Sequence, residues 1–417
     1  MTVELLVYAS WSPLPQPQLM GVLSASYLKG KENLSFEFDS HWLKQKHHLK
    51  LDPDLPLVAG RSLPRGKPIF GIFSDAAPDR WGRRLMIRRE KVMARNEGRP
   101  ERALSEIDFL LGVDDSGRMG ALRFKKQDDG PFLADDGDSP TPPITALRKL
   151  EHAALTLESD DAKKIDEALA VLFRPGSSLG GARPKANVID PSGALWIAKF
   201  PSERDDIDVG GWEAVTASLA RAAGLRIEES KALKLGSRHH TFLTRRFDRG
   251  GKSTRYAYAS AMTLLGKKDG ESESSSYLDL AELIVSQGGT PKAQLHELWK
   301  RIVFSILVSN TDDHLRNHGF LYNFERRGWD LSPAFDMNPI LGGVGLTLSV
   351  DEEDSSLSLD LARSVAPYFH VEHADAEVMI QHVLAARKSW RMEAKKVGIR
   401  PSEIDLMASV FEAERSC

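Results

Sequence analysis

The chain is almost without cysteine. Cys417, the last of 417 residues, is the one instance, so an internal disulfide framework and a cysteine metal site are both excluded, as suits a reducing compartment. Charge of one sign is also lacking. A formal net charge of -3 leaves no basic footprint of the kind that binds nucleic acid unaided. Long apolar runs are missing too: nothing approaches the roughly 20 consecutive apolar residues of a membrane helix. The opening "MTVELLVYAS" has one acid, no basic residue and too short an apolar run for a signal peptide. No internal repeat is present. These absences predict a soluble, cytoplasmic protein with no membrane partner. What is there is ordinary for a globular protein, with 41% hydrophobic and 28% charged residues. The length allows two or three domains and a large core.

Periodicity divides the chain. Up to Lys125 it reads as a β-rich unit with some helix: "NLSFEFDSHWL" alternates as a half-buried strand does, and "APDRWGRRLMIRREKVMA" reads as a basic-faced helix. Residues 126–145, rich in Asp, Gly and Pro, predict a linker. Two helices follow, then the loop "RPGSSLGGARP" and strands "KANVID" and "ALWIAKF" joined by "PSG". "GGWEAVTASLARAAGL" is a helix, and "SKALKLG" with "HHTFLTRRFD" forms another strand pair. From about Tyr277 the pattern is mostly helical. Thr290 is placed as the cap and Pro291 as the first residue of the helix running to "LWKRIVFSILVS". "GFLYNFERRGWDLSPAF" reads as a hairpin, and long helices close the chain. This order predicts an α+β, bilobal protein-kinase-like fold with a β-rich N-terminal domain and a mostly helical C-terminal lobe. The expected boundaries are 1–125 for that domain, 126–145 for the linker, 146–249 for an N-lobe-like region and 250–417 for the helical lobe.

Directly after that most hydrophobic helix stands "NTDDHLRNHGF", with two acids, two histidines, an arginine and two asparagines in eleven residues. Three readings are open. A polar cluster after a helix is commonly a solvated loop. His314 and His318 have the spacing of a metal pair, although Zn²⁺ wants three or four protein ligands. The third reading is phosphoryl transfer, which needs a carboxylate beside the attacking hydroxyl, oxygen ligands for Mg²⁺ and a cation on the nucleotide phosphates. Asp312 and Asn317 have the spacing of the base and metal-binding residues of a kinase loop. Asp336 in "SPAFDMNP" is placed to be the second Mg²⁺ ligand.

The third reading needs upstream partners. Lys199 shares a strand face with Leu195 and Ile197, and it must either reach solvent or meet an anion. Glu213, early in the next helix, could hold it, or could equally be an acid favoured by the helix dipole. In "PGSSLGGARPKA" a glycine-rich turn could cradle phosphates. It is not a Walker A loop, since Ala182 stands where lysine is required. Gly176 to Gly180 also matches G-x-S-x-G, so a serine hydrolase stays open, but a nucleophile elbow needs strand, turn and helix in that order.

Assembled in order, "SSLGGARPKA", "LWIAKFP", "RRFDR", "SAMTLLG", "NTDDHLRNHGF" and "LSPAFDMNP" resemble the kinase region of the HipA family of toxin kinases. "FEFDSHWL" and "APDRWGRRLM" resemble its N-terminal domain. The resemblance implies ATP and Mg²⁺ as cofactors, with Asp312 as catalytic base, Asn317 and Asp336 as metal ligands and Lys199 on the phosphates. It implies a phosphate loop running from Gly180 through Gly181 and Ala182 to Lys185. Arg245 to Phe247 would be the adenine hinge, with His314 and Phe335 near the nucleotide. Ser178, with Ser177 as its neighbour, matches the autophosphorylated serine. Two departures stand out: Phe335 replaces a common Tyr, and Arg245 replaces a common acid, leaving backbone contacts at the hinge. The partners implied are a small helix-turn-helix antitoxin, DNA through that antitoxin, and a protein substrate such as an aminoacyl-tRNA synthetase. The alternative is a nucleotide-binding pseudokinase acting as co-repressor with its antitoxin.

Overall fold

The computed structural model describes residues 2–28, 30–45, 49–133, 141–158, 162–176, 183–251 and 254–415. They form two compact units. The first comprises 1–204 with 235–237 and 248–259, and the second comprises 205–234, 238–247 and 260–417.

The first unit is built on a five-stranded sheet. Strands β1 (Thr2–Ala9), β2 (Gln18–Leu28), β3 (Lys31–Phe38), β4 (Arg61–Ser62) and β5 (Leu122–Lys125) lie in the order β4-β3-β2-β1-β5, with all pairs antiparallel. Alternation decides which face is core: Leu5, Val7 and Ala9 of β1 and Leu34, Phe36 and Phe38 of β3 are buried. Helices α1 (Gly71–Asp75), α2 (Arg80–Asn96) and α3 (Glu106–Leu111) precede β5. Phe73 of α1 meets Phe36 and Phe124 at ring-centroid distances of 5.4 and 6.0 Å. The basic-faced helix read from the sequence is α2, which buries Trp81, Leu85 and Met86. Asp79 caps it, its Oδ1 accepting from the Gly82 N–H at 2.6 Å.

Helices α4 (Leu147–Thr156) and α5 (Ala162–Gly176) lead to the antiparallel strands β6 (Lys185–Ile189) and β7 (Leu195–Lys199). Asp190 shapes their turn, accepting from the N–H groups of Ser192 at 2.8 Å and Ala194 at 3.0 Å. Trp196, Ala198 and Phe200 are the core face, so the Leu195–Ile197–Lys199 row is the half-exposed one.

The second unit opens with α6 (Val209–Ala222). Asp208 caps it, accepting from Gly211 at 3.0 Å and from the His240 N–H at 2.8 Å. Gly210 is required there, since a Cβ would stand 2.3 Å from the His240 carbonyl oxygen. Strands β8 (Ser230–Leu233) and β9 (Thr241–Arg245) pair antiparallel. After α7 (Ala261–Leu264) and α8 (Tyr277–Gln287) comes the central helix α9 (Pro291–Val308), buried on every side over its second half, from Arg301 to Val308. Pro291 opens it as expected, but Thr290 makes no side-chain cap. The expected hairpin is present, Gly319–Asn323 against Gly328–Leu331. Of the closing helices α10 (Leu359–Val365), α11 (His373–Arg387), α12 (Trp390–Val397), α13 (Pro401–Leu406) and α14 (Ala408–Phe411), α11 alone is long. Gly398, at φ 92, breaks the run between α12 and α13.

Candidate active site

The polar loop begins where α9 ends. Ser309 takes a left-handed conformation, φ 52 and ψ 44, and stops the helix. The chain is then pinned from several sides. The Ser309 carbonyl accepts from the Ile340 N–H at 3.0 Å. The Thr311 carbonyl accepts from the Thr347 N–H at 3.0 Å and from its hydroxyl at 2.9 Å. Leu315 is fully buried. The loop is therefore a fixed platform, unlike the solvated loop that the sequence allowed.

The two neighbouring acids face opposite ways. Asp312 is exposed, and its carbonyl accepts from the Asn317 Nδ2 at 3.0 Å and the His314 N–H at 3.1 Å. Asp313 is buried. It accepts a hydrogen bond from the Tyr277 hydroxyl of α8, and its Oδ1 stands 3.2 Å from His318 Nε2. Burial pushes the Asp313 carboxyl up, but His318, Tyr277 and His314 outweigh this and hold it below the usual carboxylate range. Burial and Asp313 together raise the Tyr277 hydroxyl well above its ordinary value, so it stays neutral and donates. His318 packs edge-on against Tyr277, 5.7 Å between centroids. This gives the zinc reading no support: His318 is committed to Asp313 and Tyr277. Among the described residues no group of three or more His, Cys, Asp or Glu side chains is placed to hold a metal ion.

Asp336 joins the loop through two asparagines. Asn310, buried, accepts from the Asn338 N–H at 2.9 Å and donates to Ser305 Oγ at 3.2 Å. Asn338 Nδ2 in turn donates to Asp336 Oδ1 at 3.3 Å. The segment before Asp336 is anchored to α9 by Arg301, whose Nη2 donates to the Ser332 carbonyl at 2.7 Å while its Nε donates to Glu297 at 3.1 Å. Burial lowers the Arg301 pKa and Glu297 partly restores it. Glu297 also accepts from the Arg226 N–H at 3.0 Å, and the Arg226 carbonyl accepts from Ala334 at 2.7 Å. Asn310 was counted in the polar loop without a role, and Asn338, Tyr277, Glu297 and Arg301 were missed in the sequence. Only Asn338 gives a local signal, two residues after Asp336.

These groups fit a divalent cation. The Asn317 amide spends its nitrogen on the Asp312 carbonyl and keeps its oxygen, Asp336 supplies a carboxylate, and both are the hard ligands that Mg²⁺ takes. Asn338 Oδ1, on the amide bonded to Asp336, and His314 Nδ1 are buried and have no partner among the described residues.

Other expected residues fall as follows. Phe247 and Phe335 pack as tilted rings, with centroids 5.3 Å apart and planes at 36°. Arg245 is exposed, and its N–H is donated to the Glu229 carbonyl at 2.9 Å, so a hinge contact from it would use the carbonyl. Glu213 is buried on α6 in the second unit. Lys199 and Lys185 face each other across β7 and β6 in the first unit. Lys185 is buried, with Nζ 3.0 Å from Asp79 Oδ2, a pairing 106 residues apart that no local pattern announced. Ser177, Ser178, Gly180, Gly181 and Ala182 lie outside the described residues. On either side of them a helix precedes and a strand follows, the reverse of a hydrolase elbow. No described helix is long and apolar enough to cross a membrane.

The family model for the HipA-like C-terminal domain matches residues 177–390, more than half of the chain. The chain belongs to the HipA-like C-terminal domain family. Y4dM of Sinorhizobium fredii, a proposed kinase by its name, is 27% identical over 274 residues. That match takes in 58% of this chain and 66% of the relative, slightly under two thirds of its length. A chain of the Shewanella oneidensis MR-1 toxin–antitoxin complex of HipA, HipB and operator DNA superposes with a TM-score of 0.65 at 14% identity. It covers 98% of this chain and 95% of that one, so the HipA-like fold extends over both compact units. The α+β class read from the sequence is borne out.

Proposed function

We propose that this chain is an ATP- and Mg²⁺-dependent serine/threonine-protein kinase and the cytoplasmic toxin of a toxin–antitoxin pair. The observation that carries the reading is the exposed Asp312 on a rigid loop whose carbonyl fixes the Asn317 amide. Asp312 orients the acceptor hydroxyl and takes its proton as the oxygen bonds to the γ-phosphorus and the bond to ADP breaks. Bound Mg²⁺ supplies charge neutralisation on the phosphate oxygens, and Asn317 and Asp336 would hold it. Lys199 and the loop from Gly180 to Lys185 would meet the phosphates. The Phe247–Phe335 pair offers the adenine an aromatic wall, and His314 Nδ1 is a buried polar atom that a nucleotide would satisfy.

By family likeness the partner is a small helix-turn-helix antitoxin that brings the chain to DNA, as HipB and operator DNA accompany HipA in the Shewanella structure. The substrate is a translation component such as an aminoacyl-tRNA synthetase. Incubating purified protein with labelled ATP, Mg²⁺ and host lysate should label one discrete protein. Absence of any label, on the lysate or on the chain itself, overturns the reading.

The same incubation tests self-modification. A phosphoserine adds about -1.5 to -2 charge at neutral pH, which a neighbouring triphosphate repels, so phosphorylation at Ser178 should lower nucleotide affinity. Fragment masses should show phosphate on Ser178, or on Ser177, in the parent and none in Asp312→Asn. Modified protein that binds ATP as tightly as unmodified protein contradicts this inactivation.

A further inference from the structure

Asn338 is only half used by the chain. Its backbone N–H is fixed by Asn310 and its Nδ2 is given to Asp336 Oδ1, yet its Oδ1 is buried and accepts from nothing among the described residues. A buried acceptor left unpaired carries an uncompensated desolvation cost, and here it adjoins the carboxylate that would hold the cation. Asp336 itself sits at φ 59, a left-handed conformation that a non-glycine residue seldom adopts. Pro339 follows, biasing Asn338 towards extended backbone. The surroundings thus dictate where this amide points.

We propose that Asn338 is a positioning residue for the divalent cation. Its Nδ2 turns the Asp336 carboxylate, and its Oδ1 accepts a hydrogen bond from a water in the cation's shell. Mg²⁺ keeps several waters when it binds one or two carboxylates and phosphates, and those waters are the donors that the buried oxygen lacks. An amide is suited to both tasks because it carries a donor and an acceptor. This rests on the reading of Asp336 as a metal ligand.

The test is nucleotide binding rather than turnover. A non-transferable ATP analogue is titrated into the full chain at increasing Mn²⁺, a paramagnetic stand-in for Mg²⁺, and again with excess chelator. Asn338→Leu, similar in size but with neither polar function, should raise the Mn²⁺ midpoint by about tenfold or more, the scale of second-sphere losses. Affinity in chelator should stay at the parent value. Asn338→Asp keeps an oxygen for that water but gives up the donor to Asp336, so its midpoint should rise by less than about tenfold. A Leu midpoint within about twofold of the parent's, or an Asp midpoint raised as far as Leu's, overturns the proposal. Should the Leu variant fail to fold, the Asp variant decides alone. Asp336→Ala separates the two levels. If it keeps the parent's Mn²⁺ dependence, the ligand reading itself fails. If it loses that dependence while Asn338→Leu changes nothing, only the role of Asn338 is refuted.

Discussion

Asp312→Asn is expected to lower phosphate transfer by about 10²–10⁴-fold and to leave unfolding within about 0.5 kcal/mol of the parent. The two halves of that result have separate causes. The carboxylate is exposed at the surface of a loop, so neutralising it leaves the core untouched. The contacts that hold Asn317 and His314 run through the Asp312 carbonyl, which the substitution keeps. Single-turnover transfer to a labelled substrate and urea unfolding by tryptophan fluorescence read the two quantities on one preparation. Normal transfer from a fully folded variant would remove Asp312 from the chemistry and require another base for the same reaction.

The sequence was most legible where a pattern is short and periodic. Alternation found β6 and β7, and the helical spacing of apolar residues found α6, α8 and α9, because burial of one face leaves its period in the residues. The Asp-x₄-Asn spacing was legible for the same reason: Asn317 reaches the Asp312 carbonyl within a single turn of chain. What the sequence hid is long-range. Nothing local pairs Lys185 with Asp79, or Tyr277 with Asp313. Lys199 lies with Leu195 and Ile197 on the half-exposed face of β7, while Trp196 and Ala198 fill the core side. The motif "RRFDR" is likewise divided by the fold. Phe247 packs against Phe335, whereas the buried Asp248 belongs to the first unit, accepting from the Gly120 N–H at 2.7 Å.

The neighbouring aspartate should behave in the opposite way. Asp313→Ala is expected to cost about 3 kcal/mol or more of stability, the scale for removing one member of a buried, hydrogen-bonded set. It would leave the Tyr277 hydroxyl without its acceptor and His318 Nε2 without its acidic neighbour in a site where all three side chains are buried. Asp313→Asn, which keeps an oxygen for Tyr277, should cost less, and Tyr277→Phe should add little once Asp313 is gone, because both act on one contact. The pH dependence has a definite sign. The groups facing Asp313 are Tyr277, which stays neutral, and the imidazoles of His318 and His314. They hold the native carboxyl below its unfolded value of about 3.9, so its contribution is full above that value and is lost as pH falls through the lower native pKa. The gap in urea midpoint between parent and Asp313→Ala should therefore be widest near neutrality and shrink in acid. An Asp313→Ala protein as stable as the parent but unable to transfer phosphate would exchange the roles of the two aspartates. The exposed Asp312 would then be the dispensable one, and the platform beneath it would need another explanation.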